Sequence, residues 1–184
     1  MRFVPTALEG AYVVEPELHE DERGFFARTW SIDELAERGL VTELSQCSIS
    51  RNTHAGTLRG MHFQTTPHEE VKLVRCTTGS VYDVLVDLRP GSPTHSAWIA
   101  VELDAKRANA VYIPRGFAHG FQTLVDGAEV LYMISDPYAP DAAAGVRFDD
   151  PAFGIEWPVP VSVISERDRA WPDYRPGSLR IRGA

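Results

Sequence analysis

One histidine, two arginines, a glutamine and a lysine fall close together in Gly56-Thr-Leu-Arg-Gly-Met-His-Phe-Gln64 and Lys72-Leu-Val-Arg75, inside runs otherwise apolar enough for core. Burying unpaired polar groups is costly, so Arg59, His62, Gln64 and Lys72 read as the lining of a pocket. A lone histidine more often serves packing; these neighbours change that reading. If Arg59 to Gln64 is extended, Gly60, His62 and Gln64 share a face. A hairpin to the next strand would then set Lys72 beside His62. Burial and a neighbouring cation both favour a neutral imidazole, a candidate general base.

A second segment, Tyr112-Ile-Pro-Arg-Gly-Phe-Ala-His-Gly-Phe-Gln122, contributes His119. Tyr132, in Val130-Leu-Tyr-Met-Ile134, and Tyr138, in Asp136-Pro-Tyr-Ala-Pro140, read alone as packing tyrosines. Asp168, in Ser165-Glu-Arg-Asp168, reads alone as a solvated loop charge.

The elements that must position these residues are mostly strands. Val71 to Cys76, Ser80 to Leu88, Ala97 to Leu103, Ala110 to Ile113 and Glu129 to Ile134 are short β-branched or aromatic runs. Thr78-Gly79, Pro90-Gly91-Ser92-Pro93 and Asp126-Gly127 separate them as turns. With no helices alternating between them, the pattern predicts an antiparallel sandwich or barrel. One helix is expected: Ser31 capping Ile32 to Arg38, Glu34 at the capping-box position, Gly39 closing it. Asp149 to Pro160 is too proline-rich for a central strand and should wrap the outside. Residues 171–184 mix Pro, Gly and Arg and read as a surface tail.

The 184 residues suit one domain spanning 1–184, and no repeat or linker divides them. A net charge of −8 without a Lys/Arg block argues against a nucleic-acid partner. No apolar run approaches the ~20 residues of a membrane span, and no signal peptide is evident. Cys47 and Cys76 lack CxxC spacing and read as buried small hydrophobes, pointing to a cytoplasmic setting.

Taken together, the motifs resemble the dTDP-4-dehydrorhamnose 3,5-epimerase family of cupin-fold enzymes. They are Asp21-Glu-Arg-Gly-Phe-Phe26, Thr57 to Gln64, Lys72 to Arg75, Val81-Tyr-Asp-Val84, Val86 to Thr94, Ile113 to Phe121, Tyr138-Ala-Pro140 and Asp150-Pro151. Each is weak alone; their order and spacing from Gly10 to Pro172 make the match specific. The resemblance implies an all-β cupin-type barrel or jelly roll with a few short helices, acting without cofactor or metal on a nucleotide-diphosphate 4-keto-6-deoxysugar. It implies His62 as general base paired with Asp168, Tyr132 as general acid on the opposite sugar face, and Lys72 near the C4 oxygen. Arg59 and Arg23 would meet the diphosphate, while Phe26, Gln46, His119 and Tyr138 would line the nucleotide or sugar site. The Arg23–Phe26 segment can come from a partner subunit, which implies a homodimer. Two positions depart from the family pattern: Arg28 stands where Glu is usual and Ser48 where Asn is usual. Both lie toward the nucleotide side, so they bear on nucleotide identity rather than chemistry.

Three other readings compete. A mono-epimerase inverting only C3 or C5 would use the same residues. A metal-dependent cupin oxygenase or isomerase needs a His-x-His pair, but this chain has His62-Phe63-Gln64. There, Glu69 and Glu70 would have to join His62 and His119 as ligands. A non-catalytic sugar-binding cupin would have no use for His62, Lys72, Tyr132 and Asp168 together.

Overall fold

The protein is described by a computed structural model covering residues 1–183. In chain order its elements are β1 (Arg2–Pro5), β2 (Tyr12–Glu15), β3 (His19–Asp21), β4 (Gly24–Phe26), α1 (Ile32–Ala36), β5 (Gln46–Arg51), β6 (Thr57–Gln64), β7 (Lys72–Thr78) and β8 (Ser80–Asp87). There follow β9 (Trp98–Asp104), β10 (Ala110–Ile113), β11 (Phe117–Thr123), β12 (Glu129–Ile134), β13 (Ala143–Gly145), β14 (Val163–Ile164) and α2 (Glu166–Arg169). One sheet runs β1-β2-β10-β7-β12-β5, the other β13-β6-β11-β8-β9 with β14 added beside β6. Apart from that β14–β6 pair, which is parallel, the pairing is antiparallel. The fold is therefore mostly antiparallel β with a few short helices, consistent with a cupin-like architecture.

Alternation decides what each face holds. Val74, Cys76, Val111, Ile113 and Val130 of the first sheet meet Val81, Leu85, Leu103, Phe117 and Phe121 of the second in one core between them. The outer face of the first sheet, with Phe3, Leu73, Ala110 and Tyr112, is covered by Trp30, Leu35 and Leu40. The outer face of the second, with Met61, Phe63, Val84 and Val86, is covered by Val146, Phe153, Trp157 and Ile181. Strands buried on both faces read as continuous apolar runs, which is why β7, β8 and β10 were visible in the sequence.

Helix α1 starts where expected, with the Ser31 hydroxyl accepting from the Glu34 N–H. Its capping box is not closed: the Glu34 carboxylate instead takes the Met1 ammonium at 2.6 Å. It ends early, at Ala36, and Gly39 turns the chain at φ +67°. The proline-rich 149–160 stretch does wrap the outside. The tail runs over the surface with most of its described residues exposed, and it is pinned there at a few points. Ile181 is buried, the Arg180 carbonyl accepts from the Thr66 N–H, and the Arg182 N–H donates to Glu69. Ala184 lies outside the described residues. Cys76 is buried as expected, but Cys47 is exposed, because β5 is an edge strand whose outer face no described residue covers.

Candidate active site

The two sheets leave a cavity of about 330 Å³ between their inner faces, bounded by Arg59, His62, Lys72, His119, Tyr132 and Glu70. Lys72 and Tyr132 share the inward parity of Val74 and Val130, and His119 that of Phe117 and Phe121. The expected hairpin between His62 and Lys72 does not exist, since β6 and β7 belong to different sheets. Lys72 reaches across the cavity instead. Its Nζ lies 3.4 Å from the His62 carbonyl and 2.8 Å from Glu70 Oε1.

Strict alternation would put Arg59 and His62 on opposite faces. Between the pairs His119↔His62 and Phe121↔Arg59, β11 advances two residues and β6 three. This bulge turns both side chains into the cavity. It needs Gly60, which has φ +139° and whose added Cβ would lie 2.5 Å from Gly120 Cα.

His62 Nε2 donates to Asp168 Oδ1 at 2.7 Å, which leaves Nδ1 as the basic nitrogen. Asp168 is buried on α2, not the solvated loop charge its local sequence suggests. Burial alone pushes its carboxyl up, but the His62 hydrogen bond and charge, with the Gly60 N–H, hold it below the ordinary carboxylate value. Opposite, burial pushes the Tyr132 phenol far above the usual tyrosine range, and the Asp83 carboxylate pushes it further, against Arg59. Asp83 itself is fully buried, paired through Oδ2 with His119 Nε2 at 2.8 Å. Burial raises its carboxyl pKa, and His119 and Lys72 only partly offset this. The His119 ring meets Tyr132 edge-on at 6.0 Å. An imidazole with a carboxylate behind it thus faces a protonated phenol on the opposing sheet. Such an arrangement could take a proton at one wall of the cavity and supply one from the other.

Other expected residues take their places around this centre. Arg59 Nε donates to Asn52 Oδ1 at 2.7 Å, and Gln46 Nε2 to the Asp136 carbonyl at 3.4 Å. Gln46, Ser48 and Tyr138 line the mouth, Tyr138 being 57% exposed. Arg23, Phe26 and Arg28 do not join the cavity of their own chain. Arg23 is held by Asp21 on the β3–β4 hairpin, Phe26 is 74% exposed, and Arg28 stands 3.8 Å from Glu34. Asp83 and Asn52 were missed in the sequence, and Glu70 was weighed there only as a metal ligand. Asp83 had left a signal, a carboxylate at the inward parity of Val81 and Leu85. Arg167, also unforeseen, lines a groove running on past His62.

The carboxylates a metal would need are engaged elsewhere. Asp168 and Asp83 each hold a histidine, Glu70 holds Lys72, and Glu69 accepts from Thr66 Oγ1 and the Arg182 N–H. Among the described residues no group of three or more His, Cys, Asp or Glu is gathered for a metal ion. No described helix is long and apolar enough to cross a membrane.

A sequence profile of the family described as dTDP-4-dehydrorhamnose 3,5-epimerase matches residues 5–175. A protein of that name from Methanothermobacter thermautotrophicus is 41% identical over 177 residues, covering 95% of each chain. A dTDP-4-dehydrorhamnose 3-epimerase from Streptomyces niveus is 38% identical, covering 92% of this chain and 82% of its own. The crystal structure of dTDP-4-dehydrorhamnose 3,5-epimerase from Bacillus anthracis, with TDP and PPi bound, superposes with a TM-score of 0.91. Its sequence identity is 37%, and the match covers 94% of this chain and 99% of that one.

Proposed function

The chain belongs to the dTDP-4-dehydrorhamnose 3,5-epimerase family, and from that premise we propose that it epimerises a dTDP-4-keto-6-deoxyhexose at the carbons flanking the ketone. The observation that carries this reading is the His62–Asp168 pair at 2.7 Å facing Tyr132 across the cavity. The C4 ketone acidifies the hydrogens on C3 and C5, because the carbanion left behind delocalises onto oxygen as an enolate. His62 Nδ1 takes the proton, and Asp168 stabilises the imidazolium that forms. Lys72 presents an N–H to the developing oxyanion, the preorganised stabilisation that usually contributes most. Tyr132 then delivers its proton to the carbon from the other face. Solvent reprotonates the phenol and takes the proton from His62, so no cofactor enters the balance.

Arg59 meets the diphosphate, while His119, Gln46, Ser48 and Tyr138 line the sugar and nucleotide ends. Arg23, Phe26 and Arg28 serve the cavity of a second copy, so the working unit is a homodimer. On this reading the two sheets close into the jelly roll of cupins, and the protein acts in the cytoplasm. The Streptomyces niveus relative favours one second reading, a mono-epimerase inverting C3 alone.

Proton NMR of the dTDP-4-keto-6-deoxyglucose substrate in deuterium oxide distinguishes these. Loss of both the C3 and C5 proton signals with formation of the L-sugar supports the double epimerase. Loss at C3 alone supports the second reading, and no exchange at either carbon overturns both.

A further inference from the structure

We infer that Glu70 is a positioning residue that fixes the Lys72 ammonium for the reaction; this rests on the reading of Lys72 as the enolate's partner. In the extended approach to β7, alternate side chains take opposite faces. Glu69 turns outward to Thr66 and Arg182, while Glu70 turns inward with Lys72. Glu70 Oε1 lies 2.8 Å from Lys72 Nζ, with only 10% and 9% of the two side chains exposed. Both line the cavity shared by His62, His119 and Tyr132.

A carboxylate beside a forming enolate is unfavourable by simple repulsion unless another group neutralises it. Here the neutralising group is the lysine, which needs fixing. An ammonium on a four-carbon stem has three rotatable donors and no preferred direction. Glu70 takes one N–H, the His62 carbonyl sits 3.4 Å from the same nitrogen, and the third donor is left for a cavity ligand. The enolate oxygen then meets the positive end of a held ion pair. Stabilisation of this kind works only when the donor is aimed before the charge develops.

The test exploits an accident of composition: the chain has two lysines, Lys72 and the exposed Lys106. Protein labelled with 15N-lysine therefore shows two Nζ signals, one of them from the site. In the free wild-type protein the Lys72 ammonium protons should be protected from exchange and those of Lys106 should not. Glu70→Gln should remove that protection and lower kcat about 10–100-fold with KM little changed. Glu70→Asp, which keeps the charge on a shorter stem, should restore part of both. Unaltered Lys72 protection in Glu70→Gln overturns the inference whatever Lys72 does in the reaction. Lost protection with wild-type kcat instead overturns the role of Lys72 itself. If Glu70→Gln does not fold, Glu70→Asp is read alone: weakened protection with reduced kcat supports the inference, and wild-type values of both overturn it.

Discussion

On the proposed mechanism Tyr132 donates a proton at neutral pH, and its surroundings keep that proton in place until then. Burial and the Asp83 charge disfavour the phenolate, so the hydroxyl stays intact until a carbanion demands its proton. The opposite logic acts on Asp87, where buried charge serves stability. Burial pushes its carboxyl up, but Arg89, Ser92 and Thr94 hydrogen bonds outweigh that and hold it below the ordinary value. A depressed folded-state value contributes stability above the ordinary carboxylate range and loses it as pH falls through the folded value. Asp87→Asn should therefore destabilise the protein by about 3–5 kcal/mol at pH 7, with the difference from wild type shrinking toward pH 2. Urea unfolding across that range checks this; a constant difference would contradict it. On the proposed reading Arg28 bears on nucleotide choice rather than on the chemical step. Its side chain is exposed and only 3.8 Å pairing to Glu34 holds it, so Arg28→Glu should cost little stability. It should change KM and the ranking of dTDP against other nucleotides while leaving kcat nearly unchanged. A large fall in kcat with the ranking intact would move Arg28 into the chemical step. Of the site, His62, Lys72, Arg59 and His119 were legible because polar residues in apolar runs are conspicuous. Tyr132 and Asp168 were legible only through the family resemblance, since a strand tyrosine and a Ser-Glu-Arg-Asp segment look ordinary on their own.

At the level of elements, the site depends on α2 being held against β6. Trp171 lies over Gly145 of β13, which pairs with His62, and Arg167 stacks on the Trp171 ring at 5.3 Å. A Cβ on Gly145 would stand 2.4 Å from Trp171 Cε2 and 2.8 Å from the Met61 carbonyl, so the indole must move. Gly145→Ala should lower stability by about 1–3 kcal/mol, roughly 2–12 °C in Tm. It should also loosen Asp168 from His62, reducing kcat more than it raises KM. A variant with wild-type Tm and kcat would show that the tryptophan does not brace the dyad. Element boundaries show which signals a sequence carries. Strands β10 and β12 match their expected limits, and β8 differs by one residue, because each is framed by clear turns. Strands β1 to β4 and β14 are two to four residues long, too short for alternation to register. The β6 bulge was hidden for a different reason: two glycines announce permissiveness, not the register in which it is used.

For the whole molecule, the β3–β4 hairpin stands apart, all six of its residues exposed, with Phe25 and Phe26 among them. If it completes a second copy's cavity, Arg23→Ala and His62→Ala homodimers should each be poorly active. Subunit exchange between them should restore activity, since one cavity of each hybrid then has both residues intact. Mixing that restores nothing would confine each site to one chain. On the proposed mechanism a base and an acid on opposing sheets act in separate steps, and deuterium wash-in measures this most directly. His62→Ala should lose both solvent deuterium incorporation and epimer, as general-base loss costs about 10²–10⁴-fold. Tyr132→Phe should still incorporate deuterium at C3 or C5, with His62 returning the label to the original face, and form little epimer. Deuterium wash-in by His62→Ala at the wild-type rate would contradict the assignment of His62 as the base.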